Sequence, residues 1–455
     1  MLELFGFGAS WAVALWATAC IAICLWYMTE LVRRRPVTVP SFVVLWAFFF
    51  PILLQYPFTF SPVNALAVGP EGFRNYTPFI DQVLLVSLVG MLAFVIGYTW
   101  ARRRGSFGPT ELVTRSLRIL NQSSWLVVTS LTISGLFLLL VVAGLVGPAG
   151  ARQSAQSVPV LRPIYNAVHT LLPITIALNL LAGVQERRLG MFMLGLSNLG
   201  LGLLTGARSV VFGGVLFYLL AVLTYRSLTR GMSPLRALRL VPLAGFLLVL
   251  AVYIGDVREG QYNLLVTIAT LGAKLLYGNN FSDLRDFAWV RSYWDGNLFW
   301  GKTELAGLLS FVPTFLLDFR AAWNWGVVTT TMVGLNSDVT PGLRTGPFGE
   351  AFFNFGLVGV VMAGLLYGAV CRGLHQYTAE AVRERSPREA RLALLAGLIT
   401  LSLVGNFLNT AGFYGFYLTV GLLVAVWGFD RVFRELRGLP PSPGGSRLVP
   451  AGPPA

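Results

Sequence analysis

The stretch DQVLLVSLVGMLAFVIGYTWA, residues 81–101, decides the fold class, because it continues in uncharged, mostly apolar residues after a single charge at Asp81. As a helix it is long enough to cross a hydrocarbon core of roughly 30 Å. Similar runs recur along the 455 residues, of which 55% are hydrophobic and 12% charged, and the mean hydropathy is +0.68. A soluble domain cannot bury that share of apolar residues. Because the runs are continuous, they predict membrane-spanning helices.

The sequence therefore predicts an all-α polytopic membrane protein with eleven transmembrane helices. These spans lie near residues 11–28, 40–57, 81–101, 124–146, 163–183, 189–205, 209–225, 240–254, 350–371, 391–408 and 411–429. The chain then divides into an N-terminal transmembrane bundle (1–254), one large extracytoplasmic loop with interfacial helices (255–349), C-terminal transmembrane helices (350–429) and a tail (430–455). The tail is rich in proline and glycine and is expected to be disordered.

The distribution of arginine predicts how the chain is oriented. The net charge is +14, and most arginines fall in loops on one side of the predicted spans, including 33–35, 102–104 and those between 372 and 391. Cytoplasmic loops of membrane proteins carry such an excess, so we expect the N-terminus and the loop 255–349 outside and the C-terminus inside. This explains most of the net charge without nucleic-acid binding, and a basic inner face suits anionic lipid headgroups.

The loop contains DGNLFWGKT, in which residues 296–303 match the phosphate-loop pattern of nucleotide-binding proteins. That pattern needs a preceding buried strand and cytosolic nucleotide, so we do not predict a nucleotide site here. We expect Thr303 to cap a helix that begins beside Lys302, a position that suits either an ordinary capped helix or an anion. Residues 305–317 and 263–278 are apolar but too short to span, which predicts interfacial or re-entrant helices that roof the bundle.

The positive-inside rule does not explain arginines and lysines on the predicted outer side, so these cations need another partner. The planar guanidinium group of arginine is suited to the oxygens of phosphate or pyrophosphate. For any single arginine the alternative is a salt bridge with a nearby aspartate, such as Asp283 or Asp286. Arg208 and Arg344 are the strongest candidates, because they stand at connections to apolar spans, where charge is costly without a partner.

Other residues of the outer face each have two interpretations. Glu350 begins an apolar run, where a carboxylate either stabilises the helix N-terminus or acts as a base beside a bound phosphate. His169 in the fifth span is either a base or a helix-packing residue. The loop tryptophans, which stack on sugars or anchor at the membrane surface, include Trp289, Trp294 and Trp300.

Four segments together resemble a known family. They are TGARS at 205–209, NNFSDLRDFAWV at 279–290, GKTELAGLLSFVP at 301–313 and GEAFFNFGLVGV at 349–360. With the eleven-span pattern they resemble the Wzy-type oligosaccharide repeat-unit polymerases, relatives of the O-antigen ligases. The resemblance covers most of the chain and is most specific in residues 205–370.

The resemblance implies a GT-C-like glycosyltransferase of the bacterial inner membrane that works on the periplasmic face without nucleotide sugar or metal. It would move a growing glycan from undecaprenyl pyrophosphate to a sugar hydroxyl of a new lipid-linked repeat unit, with a chain-length regulator protein as a further partner. Glu350, Arg208 and Arg344 would be catalytic. The pyrophosphate-binding set would be Arg208, Arg258, Arg285, Arg291, Lys302 and Arg344.

Two alternatives stay open at this point. The ligase branch of the family would hand a finished glycan to a different acceptor. A lipid-linked-oligosaccharide flippase or transporter would use the outer arginines to escort an anionic cargo, although such proteins usually place charges near the midplane and consist of two related halves.

Overall fold

The computed structural model describes residues 58–436 with gaps at 102–107, 143–160, 205–207, 231–240, 259–261, 278–281, 313–315 and 338–341, and seven isolated positions before residue 58. All regular secondary structure in these ranges is helical. The first eight α-helices are α1 (Ala65–Tyr76), α2 (Ile80–Trp100), α3 (Gly108–Leu120), α4 (Ser123–Val142), α5 (Leu161–Leu180), α6 (Leu189–Leu204), α7 (Arg208–Arg230) and α8 (Val241–Arg258). The others are α9 (Leu264–Leu276), α10 (Asp283–Tyr293), α11 (Lys302–Leu308), α12 (Asp318–Ala322), α13 (Trp325–Met332), α14 (Gly346–Glu384), α15 (Pro387–Gly405) and α16 (Phe413–Leu436).

Four helical segments of the described chain are long and apolar enough to cross a membrane: Pro62–Trp100, Ile164–Gln185, Gly346–Glu384 and Thr410–Phe433. A fifth is possible if Gly108–Leu120 and Trp125–Leu140, which meet at 88°, form one bent span. The prediction of a helical polytopic membrane protein is thus confirmed at that level, and the count of eleven spans stays a prediction. Apart from the seven isolated positions, predicted spans 11–28 and 40–57 lie outside the described residues. The predicted spans 189–205, 209–225 and 240–254 fall on shorter apolar helices.

Among the described helices, α2 and α14 make the most extensive contact with each other, and glycine permits their close approach. A methyl group on Gly97 of α2 would overlap the carbonyl of Leu365, and one on Gly368 of α14 would overlap the carbonyl of Phe94. Small residues let membrane helices come together in this way, since packing rather than the hydrophobic effect holds them. The α2–α14 pair forms the core against which α10 and the loop after it are docked.

A second group of helices surrounds α5. Helices α4, α6 and α7 pack against α5, and α15 packs against α3, α7 and α14, so that α15 joins the two groups. Helix α5 ends in a π-helical turn, Leu181–Gln185, and Arg187 follows with a positive φ of 57°. A π turn widens the helix by one residue per turn and is frequent at functional positions.

Two predictions about the ends of elements need correction. Helix α16 continues to Leu436, beyond residue 429, where the predicted span ends and the tail begins. Helix α11 has Gly301 as its N-cap, and Thr303 is a buried residue inside the helix, so the predicted cap at Thr303 is wrong. Helix α9 exists within the stretch 263–278 and is capped by Asn263, whose side-chain oxygen accepts from the amides of Leu265 and Val266.

Candidate functional site

Glu350 lies in the first turns of α14 and is only 2% exposed. Its Oε1 accepts hydrogen bonds from the hydroxyl groups of Thr303, at 2.8 Å, and Thr410, at 2.5 Å. Its Oε2 accepts from the backbone amide of Thr410 at 2.7 Å. The carboxylate therefore does not cap its own helix, as one interpretation of the sequence predicts. It joins the start of α14 to α11 and to the turn Thr410–Gly412 that precedes α16.

Asn354, one turn beyond Glu350, binds the loop before α11. Its amide nitrogen donates to the hydroxyl oxygen of Thr303 at 2.6 Å, and its side-chain oxygen accepts from the amide of Gly301 at 3.0 Å. Asn354 and Glu350 share a face because residues four apart on a helix are neighbours. The polar groups at this end of α14 thus form one connected network through Thr303.

A kink in α14 supplies two further contacts to the same loop. Gly356 has φ 63° and ψ −152°, which is not helical and which suits glycine almost alone. The kink interrupts the helical hydrogen bonds, so the carbonyls of Phe353 and Asn354 accept instead from the amides of Phe299 and Trp300, at 3.0 and 3.1 Å. Two backbone hydrogen bonds therefore hold the loop before α11 against α14.

Glu304 is a half-buried carboxylate beside this network. Its Oε2 lies 3.5 Å from the hydroxyl oxygen of Thr303, the same hydroxyl that donates to Glu350. Burial, followed by the negative charge of Glu350, raises the pKa of Glu304 to about 7. A carboxyl with this pKa exchanges a proton readily at neutral pH.

A row of aromatic rings begins where the loop meets α14. Phe353 lies in the middle, with ring centroids 5.2 Å from Trp294 and 6.2 Å from Phe299. Phe299 is followed by Trp323 at 5.6 Å. Each end of the row carries a cation: Arg291 Cζ lies 5.0 Å from the ring of Trp294, and Lys302 Nζ lies 4.4 Å from the ring of Trp323. We call these six residues the aromatic row.

Two of the predicted phosphate-binding arginines are found at the start of α10 instead, Arg285 within that helix and Arg344 in the segment before α14 that contacts it. Arg285 is 5% exposed, and its Nε and Nη2 donate to Asp286 Oδ1 at 3.0 and 2.9 Å. Because its Nη1 donates to the carbonyl of Tyr277, the guanidinium is engaged within the protein and is not presented to a ligand. Arg344 is exposed, its amide donates to Asp286 at 3.4 Å, and its charge lies near Asp283.

The other predicted site residues are dispersed. Trp289 is 7% exposed and belongs to the core, so its ring is not presented to a sugar, whereas Trp300 is 72% exposed. His169 is half-buried in α5, with its ring 5.7 Å from that of Tyr165. Arg208 begins α7 and Arg258 ends α8, and their side chains lie outside the described part of the structure.

Sequence reasoning did not assign Glu304, Asn354 or Thr410 to the site. The signal for Asn354 was present, because a polar residue four positions after Glu350 in an apolar run points to a shared face. Glu304 follows Thr303 directly. Nothing local marks Thr410, which meets Glu350 from 60 positions away in the chain.

The fold and the site together define a helical, multi-pass membrane protein with a polar, aromatic site at the start of α14. Comparison with models of protein families, with curated proteins and with solved structures finds no match to this chain.

Proposed function

We propose that this protein is a membrane-embedded glycosyltransferase that extends a polyprenyl-pyrophosphate-linked oligosaccharide at the outer face of the bilayer. The observation that carries the proposal is the docking of residues 294–304 on the kinked start of α14. This docking brings Glu304 and the aromatic row, with the cation at each of its ends, into one unit at the end of an apolar helix bundle. Phe353 at the centre of the row is buried, whereas Trp294, Phe299 and Trp323 are half-buried. These three rings are accessible to sugar rings, and the cations are suited to a pyrophosphate.

In the proposed reaction, a hydroxyl oxygen of the acceptor sugar attacks the anomeric carbon of the donor glycan. The bond from that carbon to the pyrophosphate oxygen breaks, and its electron pair leaves with the lipid pyrophosphate. Glu304 accepts the proton of the attacking hydroxyl, which its pKa of about 7 allows. Lys302, two positions before Glu304, stabilises the charge that develops on the leaving group, and Arg291, Arg208 and Arg344 stay predicted members of this set.

Glu350 has a different part in the proposal from the one the sequence predicts. It is buried and accepts three hydrogen bonds, so it is a positioning residue that holds α11 against α14. Its charge also raises the proton affinity of Glu304. The proposed proton acceptor is therefore Glu304, which is half-buried and nearer to solvent.

The test uses purified protein in nanodiscs with one defined undecaprenyl-pyrophosphate repeat unit and no added nucleotide or metal. The proposal expects a ladder of glycans in multiples of the repeat unit. Glu304→Gln should reduce the rate by on the order of 10²- to 10⁴-fold, the usual contribution of a general base. Glu435→Gln, at an exposed carboxylate on α16 paired with Arg431, is the matched control and should retain the ladder.

The same assay separates the alternatives. Transfer of the glycan to a different acceptor, with no ladder, would indicate the ligase branch. Movement of the lipid-linked unit across the bilayer without a new glycosidic bond would indicate transport and would refute the proposal. A fully active Glu304→Gln variant would refute the role of Glu304 but not the reaction.

A further inference from the structure

A small cavity lies at the other end of α15 from the candidate site. Helix α7 supplies one wall with residues spaced to share a face, the π turn of α5 supplies a second, and α15 supplies the third. The lining residues are Gln185, Val222, Tyr225, Arg226, Thr229 and Arg391. Arg391 is in the first turns of α15, whereas Thr410 follows its end. At about 1.5 Å per helical residue, more than about 20 Å separates the cavity from the Glu350 network.

The cavity is positively charged. Arg226 and Arg391 both line it, and among the described residues neither guanidinium forms an ion pair and no Asp or Glu contributes to the lining. The nearest acidic residue in sequence, Glu186, is engaged by Arg188 at 3.2 Å and Arg388 at 2.7 Å. Arg226 is exposed and Arg391 is half-buried, so both guanidinium groups are accessible to an anion, which they can bind through charge-assisted hydrogen bonds.

Neighbouring groups restrict the side chains that line the cavity. Arg391 Cζ lies 4.9 Å above the ring of Tyr225, which restricts the direction of the guanidinium. Gln185 is the last residue of the π turn, so the irregular turn is what presents its amide here. The volume is about 110 Å³. Since a water molecule takes roughly 30 Å³, there is room for a group the size of a phosphate.

We propose that this cavity binds a phosphate group through Arg226 and Arg391, with the side-chain amide of Gln185 as a further donor. The hydroxyl group of Thr229 donates to the carbonyl of Tyr225 at 2.9 Å, so Thr229 lines the cavity without donating to the ligand. Its place at the ends of apolar helices, on the face that the sequence predicts to be cytoplasmic, makes the phosphodiester of an anionic lipid the first source. Basic pockets between membrane helices on that side bind lipid headgroups. Free inorganic phosphate has the same chemistry and is the second source. The inference does not depend on the proposed glycosyl transfer.

The experiment measures binding in nanodiscs of phosphatidylcholine alone and mixed with phosphatidylglycerol. Native mass spectrometry counts the phosphatidylglycerol molecules that stay bound, and inorganic phosphate is titrated into the phosphatidylcholine sample against chloride at equal ionic strength. Arg391→Gln removes one charge-assisted partner and should weaken retention by about tenfold. Arg391→Lys keeps the charge and should weaken it less. Thr229→Phe fills the cavity without changing the charge and should abolish retention.

Arg431→Gln is the matched control, because Arg431 is exposed, pairs with Glu435 on its own helix and does not line the cavity. Retention that falls in the cavity variants but not in this control supports a lipid phosphodiester. If free phosphate instead stabilises the protein in phosphatidylcholine with the same dependence on the variants, the site takes a soluble phosphate. Equal retention in all variants, or no effect of either ligand, overturns the proposal.

Discussion

Glu304 and Glu350 stand on either side of one hydroxyl group, but only Glu304 is open enough to reach a substrate. The charge of Glu350 contributes to the raised pKa of Glu304, about 7. Glu350→Gln should therefore lower the pKa of Glu304. If unprotonated Glu304 is the base, the transfer rate of the wild type rises with pH through about 7, and in Glu350→Gln that rise moves to lower pH.

The measurement is a pH–rate profile of glycan elongation on both sides of neutrality. Glu435→Gln removes a charge far from the site and should leave the profile in place. A Glu350→Gln variant that elongates glycans with an unshifted profile would show that the two carboxylates are not coupled. Loss of thermal stability in that variant alone would be expected in any case, since two hydroxyl donors lose a carboxylate partner.

Asp283, the first residue of α10, gives a prediction about stability and pH. Burial raises its pKa from 3.8 to about 6; the charge of Arg344 opposes that rise and the charge of Asp286 adds to it. The folded state then holds a proton that the unfolded state has lost, so the free energy of unfolding falls as pH rises from about 4 to about 6. Asp283→Asn imitates the protonated form, so it should raise the thermal midpoint at pH 7 relative to the wild type and have little effect at pH 4.

Asp295→Asn is the matched control, because the pKa of Asp295 is lowered whereas that of Asp283 is raised. Asp295 is exposed, and hydrogen bonds from the amide and the side chain of Asn297 lower its pKa. Its contribution to stability is therefore present above its unfolded pKa and is lost on acidification. Asp295→Asn should not raise the midpoint at pH 7. If both variants shift the midpoint in the same direction, burial is not what controls Asp283.

The kink at Gly356 is the element on which the site depends. In Gly356→Ala the observed φ and ψ would cost on the order of 1–3 kcal/mol, so α14 should straighten or the protein should lose stability. In a straight α14 the carbonyls of Phe353 and Asn354 would accept from amides of the helix itself. The amides of Phe299 and Trp300 would then lose their acceptors. Hydrogen exchange at those two amides should accelerate. Gly421→Ala, at an exposed helical glycine in α16 with open space around it, should leave them protected.

These contacts also show why the sequence predicts only part of the site. It identifies Glu350 and the loop that contains Thr303, because a carboxylate and a helix start stand out against apolar runs. It predicts a cap at Thr303, which is wrong, and it leaves Glu350 open between stabilising the helix N-terminus and acting as a base, since capping rules consider only neighbours within a few positions. Thr303 meets Glu350 across 47 positions and Thr410 meets it across 60. Likewise, GEAFFNFGLVGV reads as one continuous helix, and nothing in its composition predicts the kink at Gly356.

The sequence predicts the class of the whole molecule more directly than it predicts the site. Hydropathy is a property of each helix alone and does not depend on which helices pack against it. Arg285 illustrates the limit: adjacent Asp286 makes an ion pair one alternative, and only the three-dimensional arrangement decides for it. The glycines of α2 and α14 show the same limit. Their spacing in the sequence permits a close contact with another helix, but it does not predict which helix that is.

The arrangement of the last three long helices predicts which ends of the chain share a side of the membrane. The hydrogen bonds between Thr410 and Glu350 place the start of α16 beside the start of α14. Helix α16 runs 24 residues from there to Leu436. At about 1.5 Å per residue this exceeds a hydrocarbon core of roughly 30 Å. Leu436 and the loop residue Trp300 should therefore lie on opposite sides.

Trp300→Cys and Leu436→Cys test this orientation, because both side chains are well exposed, at 72% and 81%. Positive-inside charge predicts that a membrane-impermeant maleimide labels Trp300→Cys on intact spheroplasts and labels Leu436→Cys only after permeabilisation. The parent protein, whose three cysteines are Cys20, Cys24 and the buried Cys371, gives the background. The reverse pattern would invert the orientation and move the site to the cytoplasm, away from any extracytoplasmic glycan. Labelling of both from one side would contradict α16 as a span.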